Sequence, residues 1–60
     1  MENTKITVKA FDNRDFEQIE RDLRSYGYEK KSDCYWFTEY VKVKENGILH
    51  TVWIERPAMH

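Results

Sequence analysis

The residues with the clearest capacity for chemistry are three large aromatic ones in the C-terminal half of the chain, Trp36, Tyr40 and Trp53. If one hairpin brings them to the same face, a partner that covers them buries about 150–250 Å² of each side chain. Together they would match or exceed the largest apolar patch of a typical monomer, about 300–600 Å². The sequence therefore predicts a binding surface made of these three rings, with Leu49 beside them.

Three interpretations of this aromatic surface stay open at the level of sequence. In the first, which we favour, it contacts another protein or a second copy of the chain, giving a homodimer. In the second, the rings stack on the bases of single-stranded nucleic acid while Lys42 and Lys44 meet its phosphates. In the third, either the strand register differs by one residue and the rings belong to the core, or the connector or the C-terminal tail folds over them. Ten basic and eleven acidic residues give a formal charge of −1, which provides no general attraction for phosphate.

The other reactive side chains do not form a recognisable catalytic or metal-binding set. Cys34 and His50 lack the spacing of metal ligands, and Cys34 is expected to be a small, half-buried residue. Glu39 is expected to pair with Arg56 at the margin of the sheet. With two glycines and no phosphate-binding motif, the chain is predicted to be no enzyme and to use no cofactor. Short, aromatic-rich proteins without such motifs are often accessory or inhibitor proteins of phages or mobile elements, and we expect that role.

The length of 60 residues predicts one domain, residues 1–60, with a thin margin of stability. Because there is a single cysteine, no disulfide within the chain can strengthen the fold, and small domains of this kind often gain burial by oligomerising. The unpaired thiol is typical of a reducing compartment, so we expect a cytoplasmic protein. The longest apolar run is far shorter than the roughly 20 residues that span a membrane as a helix.

One strand and one helix are predicted in the N-terminal half. Residues 5–11 alternate between apolar and polar side chains, as a half-buried strand does. A helix over residues 13–26 is expected to begin after Asp12 as N-cap and to end at Gly27 in a Schellman-type closure. Its apolar stripe consists of Phe16, Ile19, Leu23 and Tyr26. The polar residues 29–33 are predicted to be a connector.

Residues 35–57 are predicted to form the hairpin that carries the aromatic surface. The Asn46–Gly47 pair favours a two-residue type I′ turn, which needs positive φ at both positions. The resulting register places Tyr40 opposite Trp53. One face then carries Tyr35, Phe37, Val41, Val43, Ile48, Val52 and Ile54, and the other carries Trp36, Tyr40, Leu49 and Trp53 with Lys42 and Lys44. A three-residue loop would pair Glu39 with Trp53, which mixes polar and apolar side chains, and is therefore not expected.

These elements predict a small α+β domain with the order β-α-β-β. The expected sheet is three-stranded and antiparallel, with strand order 1-3-2, because a right-handed crossover and a tight hairpin leave few other topologies. The helix is expected to cover the face that carries Phe37, Val41, Val52 and Ile54. The opposite face, with the three aromatic residues, would stay open.

Overall fold

The computed structural model describes residues 3–57, which contain one helix and four strands. In chain order these elements are β1 (Thr4–Lys9), α1 (Asn13–Ser25), β2 (Glu29–Asp33), β3 (Phe37–Val43) and β4 (Leu49–Glu55). The strands form a single sheet of order β1-β4-β3-β2, and α1 packs on one face of it. The predicted α+β class is confirmed.

The sheet has four strands, so the predicted three-stranded sheet is wrong. Residues 29–33 are not a connector but the edge strand β2, which pairs antiparallel with β3 and has a bulge between Lys30 and Ser32. Because β2 reverses the chain between α1 and β3, β4 runs parallel to β1 rather than antiparallel to it. All five residues of β2 are polar, and all are exposed. The sequence of this strand therefore lacks the alternation of apolar and polar residues from which a half-buried strand is predicted.

The N-terminus of α1 is closed by a reciprocal pair of side chain to backbone hydrogen bonds. The Asp12 carboxylate accepts from the backbone N–H of Asp15 at 2.8 Å, and the Asp15 carboxylate accepts from that of Phe11 at 2.7 Å. The arrangement is a variant of the capping box in which Asp15 accepts from the residue before the N-cap, and the bond to Asp12 satisfies a donor that the helix cannot pair internally. The predicted N-cap at Asp12 is confirmed.

The C-terminus of α1 ends in the predicted Schellman motif. Gly27 has a φ of +93°, and its N–H donates to the carbonyl of Arg24 at 3.1 Å. The N–H of Tyr28 donates to the carbonyl of Leu23 at 3.0 Å. A left-handed residue is required at this position, which is why glycine is found there.

The turn between β3 and β4 has three loop residues, so the predicted two-residue type I′ turn is wrong. The N–H of Lys44 donates to the carbonyl of Ile48, and the N–H of Gly47 donates to that of Lys44, both at 2.9 Å. Gly47 has a φ of +84°, but among residues 3–57 only glycines have a positive φ, so Asn46 cannot take its part in a type I′ turn. The register is therefore shifted by one residue and pairs Tyr40 with Val52.

This shift exchanges the two faces of β3 while those of β4 stay as predicted. Tyr40 packs in the core beside α1, together with Val52 and Ile54. Phe37 and Val41, which were expected in the core, therefore lie on the opposite face of the sheet because side chains alternate along a strand.

The core is small and contains polar groups that are paired. Its buried residues are Ala10, Phe16, Tyr40, Val52 and Ile54, with Val8, Ile19, Leu23 and Tyr28 packed around them. The Tyr40 hydroxyl donates to the carboxylate of Glu20 at 2.6 Å, and Lys30 lies 3.3 Å from the same carboxylate. Burial, together with the nearby Glu20 carboxylate, raises the pKa of Tyr40 to about 12. Tyr26, predicted to belong to the apolar stripe, is largely exposed.

Candidate binding surface

We call the side of the sheet turned away from α1 the open face. Alternation along each strand assigns its members, since Tyr40, Val52 and Ile54 mark the opposite side. The open face comprises Lys5, Thr7 and Lys9 of β1, Leu49, Thr51, Trp53 and Glu55 of β4, Phe37, Glu39, Val41 and Val43 of β3, and Glu29 and Ser32 of β2. It is a mixed surface with apolar and aromatic side chains between charged ones.

Trp53 is at the centre of the open face, and three neighbours hold its indole ring. Phe37 stacks on it with ring centroids 4.3 Å apart and an angle of 21° between the planes. The indole N–H donates to the Glu39 carboxylate at 3.0 Å, and the Lys5 ammonium lies 3.4 Å from the ring centroid. The ring is therefore fixed in place and only partly exposed.

Glu39 lies on the open face of the sheet and not, as predicted, on the core side at the margin of the sheet. Its carboxylate accepts the Trp53 indole N–H and, at 3.3 Å, the hydroxyl of Ser32. The predicted pair between Glu39 and Arg56 is wrong, because the register places Glu39 opposite Trp53. This register pairs a polar residue, Glu39, with the largely apolar Trp53. The pairing is acceptable because the indole N–H of Trp53 donates a hydrogen bond to the Glu39 carboxylate.

Tyr35 and Trp36 project from the turn between β2 and β3. Each is 73% exposed, and their rings meet edge to face with centroids 4.8 Å apart and an interplanar angle of 81°. The backbone N–H of Cys34 donates to the carbonyl of Phe37 at 2.9 Å, which closes the turn. Cys34 itself is exposed rather than half-buried as expected.

Arg56 ties this turn to the end of β4. Its backbone N–H donates to the carbonyl of Trp36 at 2.9 Å, and its guanidinium donates to the carbonyl of Cys34 at 3.2 Å. The guanidinium also pairs with the carboxylate of Asp33 and lies 4.8 Å from the ring centroid of Phe16. Arg56, which follows β4, thereby holds the Tyr35–Trp36 turn in place, although about twenty residues separate them in sequence.

Asp33 completes this network. Its carboxylate accepts the hydroxyl of the buried Thr38 at 2.8 Å in addition to the Arg56 guanidinium. The hydrogen bond from Thr38 and that from Arg56 lower the pKa of the Asp33 carboxyl below its usual value of 3.8. The carboxylate is thus favoured in its charged form, as the ion pair requires.

The aromatic residues at this end of the sheet line one open depression of about 1090 Å³. Its wall includes both exposed rings of the turn and the stacked pair on the strands. The aromatic members are Tyr35, Trp36, Phe37 and Trp53, and the remaining lining residues are Lys9, Asn13, Asp33, Cys34, Glu55, Arg56 and Pro57. Aromatic contact area is therefore concentrated at one end of the open face and in the turn next to it.

Only part of the binding surface predicted from sequence is assembled. Trp36 and Trp53 line the same depression, and Leu49 is on the open face at its other end. Tyr40 is fully buried beside α1, so its predicted place on the open face is wrong. Lys42 points to the helix side, where its ammonium donates to the carbonyl of Tyr26.

Lys44, the second lysine expected beside the rings, is in the exposed turn after β3, at the opposite end of that strand from Trp36. Sequence reasoning missed the contributions of Tyr35, Phe37 and Lys5 to the aromatic surface. The run of three aromatic residues from Tyr35 to Phe37 was the available signal, since at least one must face away from the core whichever register applies.

Within residues 3–57 no three His, Cys, Asp or Glu side chains are grouped so that they could hold a metal ion. The same residues include no helix with the length and apolarity needed to cross a membrane. Comparisons with protein-family models, curated proteins and solved structures gave no match. We therefore infer the function from the geometry of the surface itself.

Proposed function

We propose that this chain is a non-enzymatic binding protein whose open face, together with the Tyr35–Trp36 turn at its end, contacts another protein. The observation that carries the proposal is the group of four aromatic residues that line one depression, two of them 73% exposed. Aromatic side chains are enriched in the centres of protein interfaces and contribute most of the binding energy there. The stacked rings of Trp53 and Phe37 lose little conformational entropy on binding, because neighbouring side chains already hold them.

The way in which the depression is built also favours binding over catalysis. Its most strongly interacting ionisable groups, Asp33 and Arg56, are engaged with each other and with Thr38 and the backbone of the turn. Groups used in this way fix the shape of a surface and are not free to exchange protons with a substrate. We therefore assign them a structural role in presenting the aromatic residues.

Single-stranded nucleic acid is the second candidate partner. The observation in its favour is that Lys5 and Lys9 flank the stacked rings of Trp53 and Phe37, as phosphate-binding lysines flank a stacking platform. These lysines replace Lys42 and Lys44 of the sequence-based hypothesis. Against it, carboxylates share the face and the chain has a formal charge of −1. Protein contact is the better supported of the two.

The proposal also includes a cytoplasmic location. Its support is the free thiol of Cys34, which is exposed on the surface. Exposed free thiols persist in reducing compartments and are oxidised elsewhere.

Site-specific cross-linking tests the proposal directly. A photoreactive benzophenone side chain is introduced in place of Tyr35, and in a control in place of Arg14, which is exposed on α1. On irradiation in the native host, protein adducts are expected from position 35 and not from position 14. Adducts that disappear on nuclease treatment would instead support the nucleic-acid candidate, and equal labelling from both positions would contradict a specific surface.

A salt titration separates the two candidates in vitro. Fluorescence from the tryptophans is followed while mixed oligonucleotides are added at low and at high salt. Binding through Lys5 and Lys9 should weaken steeply as salt rises and should be lost in Lys5→Ala/Lys9→Ala. If the surface is used for protein contact, the oligonucleotides are expected to cause no saturable change at either salt concentration.

A further inference from the structure

The open face is unevenly charged from one edge of the sheet to the other. Strand pairing places four residues in one row across it: Lys5, Thr51, Val41 and Glu29. Lys5 is at the β1 edge and Glu29 at the β2 edge, and both are exposed. Lys9, the other lysine of this face, has Glu55 beside it in β4, whereas Lys5 has a threonine there. The row therefore runs from an unbalanced positive charge, through two uncharged residues, to a negative charge.

Two copies of the chain can pack open face to open face about a two-fold axis in two simple orientations of that axis. An axis perpendicular to the strands would place β1 of one copy over β1 of the other and bring like charges together. An axis parallel to the strands places β1 over β2 of the second copy, and each row then lies over the same row in reverse. In that arrangement Lys5 meets Glu29 of the second copy, and the contact occurs twice.

We propose that two copies of this chain pair open face to open face about a two-fold axis parallel to the strands, with Lys5 of each copy facing Glu29 of the other. This inference rests on the proposed function, because it identifies the protein that the open face contacts. The two sheets form an aligned sandwich, an arrangement in which strand directions stay within about 30° of each other. The helices are on the outside, and the stacked rings of Phe37 and Trp53 are enclosed between the sheets.

The size of the face predicts a weak pair. Strands about 4.8 Å apart with a rise of about 3.3 Å per residue give four strands of up to seven residues a projected area of roughly 400 Å². Standard interfaces begin at about 1,200 Å² in total, or about 600 Å² per copy, so this projected area corresponds to a small interface. The pair is therefore expected to be concentration-dependent.

Sedimentation equilibrium on charge-reversal variants tests the arrangement. Lys5→Glu and Glu29→Lys should each weaken the dimer about tenfold, because each variant turns two symmetric attractions into two repulsions. An equimolar mixture of the two variants should recover the affinity of the wild-type chain, because opposite charges meet again in the heterodimer. This recovery also separates the intersubunit contact from the contact of Lys5 with Trp53 inside one copy.

Matched controls carry the same charge changes at exposed positions away from the open face. Arg14→Glu on α1 and Glu45→Lys in the β3–β4 turn should leave the dimer affinity unchanged. A dimer that responds to Lys5→Glu and Glu29→Lys no more than to these controls overturns the arrangement. A wild-type chain that stays monomeric from low to several hundred micromolar overturns the pairing itself.

The two proposals fail in different ways. A monomer whose position 35 cross-links to a different protein would remove the dimer and keep the proposed function. A cross-linked product of twice the mass of the chain, together with recovery in the mixed variants, supports both. A monomer with no adduct specific to position 35 would contradict both.

Discussion

Hydrogen bonds from aromatic and hydroxyl side chains to carboxylates fix the residues that matter most in this protein. Tyr40 is bound to Glu20 beside the core, and Trp53 is bound to Glu39 on the open face. In each case a carboxylate accepts from the polar tip of a large ring, so the ring packs as an apolar body while its donor stays paired. Side-chain hydrogen bonds, as well as apolar burial, therefore determine which residues lie on each face of the sheet.

Tyr40→Phe tests this view on the helix side of the sheet. We expect the variant to lose about 1.5–3 kcal/mol of stability at neutral pH, since the hydrogen bond to a charged acceptor is removed. The raised pKa of about 12 adds a pH dependence. Because the neutral phenol is favoured in the folded state, its contribution is complete below pH 10 and disappears as pH rises through about 12.

Urea denaturation at a series of pH values between 8 and 12 measures this dependence. The wild-type chain should lose more stability over the alkaline part of that range than Tyr40→Phe does. Parallel curves for the two proteins would show that Tyr40 ionises freely and that the hydrogen bond to Glu20 is unimportant.

Asp33 gives the corresponding prediction at low pH. Its pKa is lowered by the hydrogen bonds from Thr38 and Arg56, so the ordering of the Tyr35–Trp36 turn is complete above pH 3.8 and is lost as pH falls through the pKa of the folded state. The indole resonance of Trp36 should broaden or shift in that acid range. In Asp33→Asn the resonance should already be altered at neutral pH and should show no further change on acidification. Glu45→Gln, in the exposed β3–β4 turn, is the control and should behave as the wild type.

At the scale of elements, local signals govern the helix, whereas loop geometry governs the hairpin. Both ends of α1 are closed by residues within four positions of its termini. The β3–β4 hairpin depends instead on whether its loop has two or three residues, since one residue more moves every β3 side chain to the other face. Gly47 is the one residue of that loop with a positive φ, whereas a two-residue type I′ loop needs a positive φ at two positions. The loop therefore has three residues.

Gly47→Val should destabilise the protein by about 1–3 kcal/mol, the usual strain of a β-branched residue at positive φ. A Cβ at this position would meet no atom within 4 Å, so the cost comes from the backbone alone. Asn46→Ala is the matched control and should cost at most about 1 kcal/mol, because only the hydrogen bond from the N–H of Ile48 is lost. Urea denaturation compares the two. An equally large loss in Asn46→Ala would favour a turn that needs positive φ at position 46 as well.

At the scale of the whole molecule, the fold is thin, measuring 42 × 20 × 15 Å. One helix covers one side of a four-stranded sheet, so most of the stabilising burial occurs where α1 meets β3 and β4. Domains have about 0.05–0.15 kcal/mol of stability per residue, so a chain of this length has only a few kcal/mol to lose. Covering the open face would therefore make a large relative difference.

Ile54→Ala tests how narrow this margin is. Ile54 is 0% exposed, and a buried isoleucine truncated to alanine costs about 2–5 kcal/mol. The variant should therefore be largely unfolded at room temperature by circular dichroism. Ile6→Ala, at a position 53% exposed in β1, makes the same truncation and should cost less than about 1.5 kcal/mol. A cooperative fold of unchanged stability in Ile54→Ala would show that the core is elsewhere.

The amino-acid sequence by itself determined the α+β class, the helix and both of its caps, because capping bonds and apolar spacing join residues a few positions apart. It also placed the β4 side chains correctly, including Trp53 and Leu49 on the open face. Only the tertiary structure decided the existence of β2, whose exposed polar residues become a strand by pairing with β3. The same holds for the faces of β3. Tyr40 faces the helix, where the carboxylate of Glu20, twenty residues away, accepts a hydrogen bond from its hydroxyl, and no local pattern contains that bond.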